Sequence, residues 1–225
     1  MRAKIVTLLI ALPLLTVSAQ DRHGEGHEAT VHHRFDDTER WVELFDSPER
    51  DEWQKPSIVV RVIGLLEGDA VADLGAGTGY FTRVLSRGVG ERGKVYAVDI
   101  EPRMLEHIEQ RDDLGSAEIV TVLAEPDDPK LPEGELDLVL VVNTWHHIDD
   151  RLEYLKKLER ALDSGGRVVV IDFHEGELPV GPPAGSKLSR DAIVAEFAEA
   201  KWRLETESVV LPYQYLLVFY PPPGE

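Results

Sequence analysis

The chain of 225 residues contains no cysteine. That absence excludes disulfide bonds, metal sites built from thiolates and a lipid attached to a cysteine. Basic residues are also scarce, since 24 lysines and arginines stand against 42 aspartates and glutamates and give a formal net charge of -18. A chain with this charge repels nucleic-acid phosphates, and no run of lysine and arginine provides a local exception. We therefore expect no DNA or RNA substrate.

Long apolar runs are rare, and the one at the N-terminus has the layout of a secretory signal peptide. Residues 1–4 form a short, positively charged segment, residues 5–17 are nearly all apolar, and small residues follow just before Gln20. The run is too short to cross a membrane comfortably as a permanent helix. We expect residues 1–19 to be removed and the protein to be exported, to the periplasm of a bacterial cell, with no stable membrane insertion afterwards. An uncleaved segment that tethers the protein to the membrane is the alternative.

The stretch over residues 20–34 is polar and contains four histidines, at positions 23, 27, 32 and 33. Imidazoles at this density could bind a transition-metal ion. No hydrophobic period fixes the rings in space, however, and the composition favours a solvated linker. We assign no metal ligand here and expect one domain over residues 35–225.

The most informative stretch covers residues 71–81, which predict a short buried strand, a glycine-rich turn and the first turn of a helix. Alternating glycines at 75, 77 and 79 let the backbone approach a bulky ligand. Asp73 lies just before this turn, where a carboxylate would repel a phosphate and attract an ammonium group. The stretch therefore indicates an amino-acid-bearing nucleoside, whereas a phosphate-binding loop or a dinucleotide fingerprint needs a different glycine spacing or a lysine.

Hydrophobic patterning along the rest of the chain predicts alternating strands and helices, which indicates a parallel sheet. A leading helix is expected over residues 36–45, either capping a ligand cleft or, as we favour, packing on the core. Predicted N-caps are Ser57, Ser189 and Asp150, the last in a capping box with Glu153. Strands are expected at residues 70–74, 94–99, 119–123, 136–142 and 167–172, followed by two closing strands near residues 203–211 and 214–220.

The sequence Asp-Leu-Gly-Ala-Gly-Thr-Gly at residues 73–79 resembles the first motif of class I S-adenosylmethionine-dependent methyltransferases. The similarity continues through residues 95–99, 136–143 and 164–172 in that family's order, and covers about residues 56–220. The resemblance implies an α/β, Rossmann-like fold with a seven-stranded, mostly parallel sheet, helices on both faces and strand order 3-2-1-4-5-7-6. It implies S-adenosylmethionine as the cofactor.

Ligands of such sheets bind beyond the carboxyl ends of the strands, near the switch in strand order. The resemblance therefore implies that Asp73, Gly75 and Gly77 face the methionine part of the cofactor. It implies that Asp99 accepts hydrogen bonds from the ribose hydroxyls, and that Ile100 lies against adenine. The remaining predicted cofactor contacts are Glu125, near the adenine amino group, and Asn143, at the start of the loop that approaches the sulfonium and the methyl acceptor.

Two histidines follow Asn143 and are the candidate catalytic residues. His146, which we favour on position, or His147 could take a proton from an attacking hydroxyl or amine. One of them could instead be a buried, hydrogen-bonded core residue. A second candidate group for the acceptor pocket follows the fifth strand and includes His174 and Glu175, with Tyr213 and Tyr215.

These features predict an S-adenosylmethionine-dependent methyltransferase that acts on a small molecule. Alignment of the reactants and exclusion of water supply much of the acceleration in such a transfer, so a dedicated base is not obligatory. The alternative is an exported, noncatalytic binding protein that retains the fold, because the methyl donor is made in the cytosol whereas the N-terminal pattern indicates export.

Overall fold

The computed structural model of the protein describes residues 38–223. The predicted leader (residues 1–19) and the histidine-rich linker (residues 20–34) lie outside this range, so export and cleavage stay predictions. Among residues 38–223, no helix is both long and apolar enough to cross a membrane. The same residues contain no cluster of three side chains suited to hold a metal ion.

Within residues 38–223, seven helices and seven strands follow one another, largely in alternation. The helices are α1 (Thr38–Phe45), α2 (Glu49–Gln54), α3 (Pro56–Val62), α4 (Tyr80–Val89), α5 (Pro102–Glu109), α6 (Arg151–Ala161) and α7 (Arg190–Glu199). The strands are β1 (Ala70–Leu74), β2 (Lys94–Asp99), β3 (Glu118–Leu123), β4 (Leu136–Val142), β5 (Leu162–Phe173), β6 (Arg203–Ser208) and β7 (Gln214–Tyr220). Short 3₁₀ turns lie at Trp145–His147 and Ala184–Ser186.

All seven strands form one sheet in the order β3-β2-β1-β4-β5-β7-β6, as the family resemblance implies. Strand β7 runs antiparallel to both of its neighbours, and the other pairs are parallel. The order reverses between β1 and β4, so their carboxyl ends border the crevice where open α/β sheets bind ligands. The fold is the predicted Rossmann-like one.

Strand β4 shows why the centre of the sheet is stable. Val139 and Val141 pack in one apolar cluster, whereas Leu138 and Leu140 pack in a second cluster on the opposite face. All four side chains are fully buried. Successive side chains of a strand point to opposite faces, so a continuous apolar run is what a strand covered by helices on both sides requires.

The predicted helix caps are partly wrong. Ser189 caps α7 as predicted, because its hydroxyl oxygen accepts a hydrogen bond from the Ala192 N–H at 3.0 Å. Ser57 does not cap α3, since Pro56 occupies the first helical position and Lys55 precedes it in a left-handed conformation. The capping box at Asp150 is absent as well. That residue has φ 45°, and its side chain makes no capping hydrogen bond.

A buried ion pair joins α6 to α7 and holds the turn that contains the candidate histidines. The Arg151 guanidinium donates to the Glu196 carboxylate at 2.9–3.1 Å and to the Ile148 carbonyl oxygen at 2.9 Å. Glu196 also accepts a hydrogen bond from Trp145 Nε1 at 2.9 Å. Trp145 is fully buried, so this network holds the 3₁₀ turn at Trp145–His147 in place through its buried side.

Replacing Glu196 by alanine leaves the Arg151 charge buried without its carboxylate. We expect the Glu196→Ala variant to lose about 3–5 kcal/mol of unfolding free energy. The matched control is Glu153→Ala on α6, whose exposed i,i+3 pair with Lys156 should contribute about 0–1 kcal/mol. Urea denaturation of both variants measures the difference, and equal midpoints would contradict a structural role for the buried pair.

Candidate active site

The glycine-rich turn after β1 has the backbone conformation that its sequence predicts. Gly75, Gly77 and Gly79 all have positive φ, which L side chains rarely adopt. At Gly75 space is also limiting, because an added Cβ would lie 2.1 Å from Thr144 Oγ1. The Gly75 N–H donates to the Val98 carbonyl oxygen at 2.8 Å. The turn is thus packed between the ends of β2 and β4.

Asp99, at the end of β2, is bonded to this turn. One carboxylate oxygen accepts a hydrogen bond from the Gly77 N–H at 2.8 Å, and the other accepts one from the Glu101 N–H at 3.0 Å. Burial raises the pKa of the Asp99 carboxyl, while the backbone N–H groups of Glu101, Gly77 and Ile100 act in the opposite direction. Because a carboxylate offers about four lone-pair sites, each oxygen can accept one hydrogen bond more. That is the capacity needed for two ribose hydroxyls.

Two large apolar side chains lie exposed beside Asp99. Ile100 is 52% exposed and Leu123 is 54% exposed. Leu123 is the register partner of Asp99 on β3, so both apolar groups are at the same edge of the sheet. An exposed aliphatic pair next to a hydrogen-bonding carboxylate suits a nucleoside, whose base is flat and whose sugar is polar. The sequence interpretation identified Ile100 but missed Leu123, which the predicted strand order could have indicated.

Asp73 is almost completely buried beneath the turn. Its carboxylate accepts a hydrogen bond from the Thr82 hydroxyl at 2.7 Å. Burial raises the pKa of Asp73 to about 6, against the lowering effects of Thr82 and of the Arg50 charge. The positive charge near the Asp73 carboxylate does not compensate for its burial. A nearby ammonium group would favour the ionised form of this carboxyl group.

Helices α1 and α2 and the residues between them contact the glycine-rich turn and the start of α4. The Phe45 ring is 3.6 Å from the position of a Cβ at Gly77. Asp46 accepts a hydrogen bond from the Thr78 hydroxyl at 3.0 Å and forms an ion pair with Arg111. These contacts were missed from the sequence, since a weak amphipathic pattern gives no information about what its apolar side covers.

Arg50 on α2 reaches the same region. Its guanidinium lies 3.9 Å from the centroid of the Tyr80 ring and donates a hydrogen bond to the Phe45 carbonyl oxygen at 2.8 Å. Burial lowers the pKa of Arg50 to about 10, although Tyr80 and the aspartates around it act to raise it. The side chain therefore stays charged at neutral pH.

His146 and His147 are placed at the opposite side of the cleft, after β4. His146 is buried, and its Nδ1 lies 2.8 Å from the Asp172 carboxylate. Asp172 is fully buried and also accepts a hydrogen bond from the Phe173 N–H at 2.8 Å. A carboxylate beside Nδ1 favours the tautomer with its proton there, which puts the basic lone pair on Nε2. The ring centroids of the two histidines are 4.1 Å apart.

The other predicted site residues differ in their surroundings. Glu125 is exposed, and its carboxylate lies 3.2 Å from Lys130 Nζ. Tyr215 is buried beside β5, whereas His174 and Glu175 are exposed. Tyr213 is partly exposed and contacts Trp53, a residue of α2 that the sequence interpretation missed.

The cleft between these groups fits S-adenosylmethionine. Asp99 has the free lone pairs for the ribose hydroxyls, Ile100 and Leu123 provide an apolar surface for adenine, and Asp73 lies beneath the turn that would hold the amino-acid part. At Gly75 the position of a side chain is occupied by Thr144, so packing within the protein itself requires glycine there.

Comparison with known proteins gives the same assignment. The family profile described as "Methyltransferase domain" matches residues 72–170, from β1 to β5. The ubiquinone/menaquinone biosynthesis C-methyltransferase UbiE of Escherichia coli is 33% identical over 114 residues, which are 49% of this chain and 45% of that protein. The match thus spans less than half of the length of this curated relative.

Solved structures extend the similarity to most of the fold. A SAM-dependent methyltransferase from Aquifex aeolicus is 27% identical, with a TM-score of 0.74 over 81% of this chain and 97% of the other. A TehB-like SAM-dependent methyltransferase from Corynebacterium glutamicum, at 19% identity, shares the fold with a TM-score of 0.61 over 82% and 95% of the two chains. The matched profile segment, the strand order and these structures together show that the chain is similar to S-adenosylmethionine-dependent methyltransferases and shares their fold.

Proposed function

We propose that the protein transfers a methyl group from S-adenosylmethionine to a small-molecule acceptor. The observation that carries the proposal is the bonding of Asp99, whose two oxygens each hold one backbone N–H and can each accept a ribose hydroxyl. The net charge of -18 disfavours a nucleic-acid acceptor. The name of the curated relative motivates the inclusion of ubiquinone and menaquinone precursors in any panel of acceptors.

The cofactor supplies an electrophilic methyl group on a sulfonium, and the residues of the chain position the partners and handle the proton. Asp73 and the glycine-rich turn would hold the amino-acid part of the cofactor at the β1 side. His146, at the β4 side, accepts the proton that an attacking hydroxyl or amine loses, while Asp172 holds its ring. The covering helices α1 and α2 exclude water from the cleft.

Substitution of Asp99 tests the cofactor site directly. We expect the Asp99→Ala variant to bind S-adenosylhomocysteine more weakly by about 1–3 kcal/mol, because the ribose hydroxyls lose their acceptors. Isothermal titration calorimetry measures this, with Asp127→Ala on the exposed loop after β3 as the control. Unchanged affinity in Asp99→Ala would remove the ribose assignment. Binding by the wild type without turnover of any acceptor would support the noncatalytic alternative.

The raised pKa of Asp73 gives the binding reaction a pH dependence. Above about pH 6 the carboxyl is ionised and attracts the ammonium group, whereas below it the carboxyl is protonated and the attraction is lost. We expect S-adenosylhomocysteine affinity to fall as the pH decreases from 7 to 5. In Asp73→Asn the component centred near pH 6 should disappear, while any smaller dependence due to Asp99 remains. A wild-type profile retained in Asp73→Asn would show that this carboxyl does not face the ammonium group.

The role of His146 predicts a loss of turnover without a loss of cofactor affinity. General acid–base catalysis typically contributes about 10²–10⁴-fold, so His146→Ala should lower kcat within that range. The comparison variant is His147→Ala, whose effect should be smaller because its neighbour carries the contact to Asp172. Release of S-adenosylhomocysteine with the acceptor found by screening provides the rate. Equal kcat values for wild type and His146→Ala would exclude His146 as the base.

A further inference from the structure

A chain of three side-chain amides runs from α2 to the cleft through the interior of the protein. Arg50 Nε donates to Gln54 Oε1 at 3.2 Å, Gln54 Nε2 donates to Gln214 Oε1 at 2.5 Å, and Gln214 Nε2 donates to Asn143 Oδ1 at 2.6 Å. Gln54 and Gln214 are both completely buried. None of the three amides belongs to the steps described above.

The chemistry of Arg50 fixes the direction of every bond in this chain. A guanidinium has donors and no acceptor, so the oxygen of Gln54 must face Arg50 and its amino group must face Gln214. The same rule then orients Gln214, whose amino group faces Asn143. The oxygen of Asn143 consequently points toward Gln214, and its Nδ2 amino group remains for a ligand. Among the described residues, the structure gives Nδ2 no acceptor.

Asn143 is the first residue after β4 and adopts φ 56°, a conformation that costs free energy for a residue other than glycine. It is partly exposed. Non-glycine residues in this conformation concentrate at functional sites. The strained backbone and the oriented amide together place a hydrogen-bond donor at the β4 side of the cleft.

Aromatic rings accompany the amides along the chain. Trp53 precedes Gln54, Tyr213 precedes Gln214, and the centroids of the two rings are 6.5 Å apart. The Trp53 ring also lies 5.7 Å from Phe173, which ends β5 and is the register partner of Gln214. Trp53 and Tyr213 are partly exposed. Trp53 and Tyr213 are thus a pair of partly exposed rings, each one residue from an amide of the chain that leads to Asn143.

We propose that the methyl acceptor is a planar aromatic molecule that stacks on Trp53 and Tyr213 and whose oxygen accepts a hydrogen bond from Asn143 Nδ2. Gln54 and Gln214 act as positioning residues that hold Asn143 in this orientation. This inference rests on the proposed function, since it names the acceptor class of the same site. The acceptor should be aromatic because it would stack on the Trp53 and Tyr213 rings. It should carry an oxygen because the amide chain turns a hydrogen-bond donor, Asn143 Nδ2, toward it.

The Gln54→Glu variant should reverse the amide chain. A carboxylate at position 54 still pairs with Arg50 but has no donor for Gln214, whose amide must then rotate and turn its oxygen toward Asn143. Asn143 would donate to Gln214 and present Oδ1 to the cleft. The ion pair with Arg50 compensates the charge buried in Gln54→Glu. If that variant does not fold, Gln214→Glu replaces it, because a carboxylate at position 214 can only accept and Asn143 must then also turn its Nδ2 toward it.

Three small probes of equal heavy-atom number separate the possibilities, with S-adenosylhomocysteine present and binding followed by saturation-transfer difference NMR. Acetophenone is aromatic with a hydrogen-bond acceptor, indole is aromatic with an N–H donor, and cyclohexyl methyl ketone has the acceptor without the ring. We expect wild type to bind acetophenone best, and Gln54→Glu to lose about tenfold for acetophenone and to prefer indole. Gln110→Glu, the same change at an exposed position, should leave the wild-type order unaltered.

Several results would overturn the inference. Equal weakening of acetophenone and indole in Gln54→Glu would indicate a structural role only, and equal binding of the saturated ketone by wild type would exclude aromatic stacking. A loss of S-adenosylhomocysteine affinity in Gln54→Glu would assign Asn143 to the cofactor. If wild type binds no S-adenosylhomocysteine, the proposed function fails first, and that calorimetric result is distinct from any preference among the probes.

Discussion

The hydrogen bond from the Gly77 N–H to the Asp99 carboxylate joins the two parts of the site that chain order keeps apart. It links the turn after β1 to the end of β2 at 2.8 Å, at the edge where parallel strands deliver their carboxyl ends. The bond orients the Asp99 carboxylate and leaves lone pairs on both of its oxygens for further hydrogen bonds. The donor is the N–H of Gly77, which has a left-handed backbone conformation. The exposed side chains of Ile100 and Leu123 lie beside this fixed carboxylate.

Charge is distributed in the site so that a cation is favoured beneath the turn. Asp73 is buried with Thr82 as its close partner, while the Arg50 guanidinium stacks on Tyr80 and bonds to the α1–α2 segment. The Arg50 charge thus reduces the free energy needed to bury the ionised Asp73 carboxylate. Its guanidinium is bonded to the Phe45 carbonyl oxygen and lies on the Tyr80 ring, so it does not take the position of a ligand's ammonium group. The same arginine sets the direction of the Gln54–Gln214–Asn143 chain, so one side chain of α2 influences both ends of the cleft.

The sequence predicted those features that depend on local pattern. The apolar run of β4, the alternating glycines and the acidic end of β2 each have a physical signature within a few residues. They carry the family resemblance that implied the fold and the proposed cofactor contacts. Leu123, Trp53 and the amide chain were missed, because Gln54 and Gln214 are 160 residues apart and pair only once the sheet is assembled. The cap predicted at Asp150 was wrong for a local reason, since the residue adopts a left-handed backbone conformation in which its side chain makes no capping hydrogen bond.

A crystal structure of the protein with S-adenosylhomocysteine tests the central claim most directly. The account predicts ribose hydroxyls within hydrogen-bond distance of both Asp99 oxygens, adenine between Ile100 and Leu123, and the amino group above Asp73, with the Gly77–Asp99 bond retained. A ligand bound elsewhere, or a nucleoside in this crevice whose sugar does not contact Asp99, would contradict it.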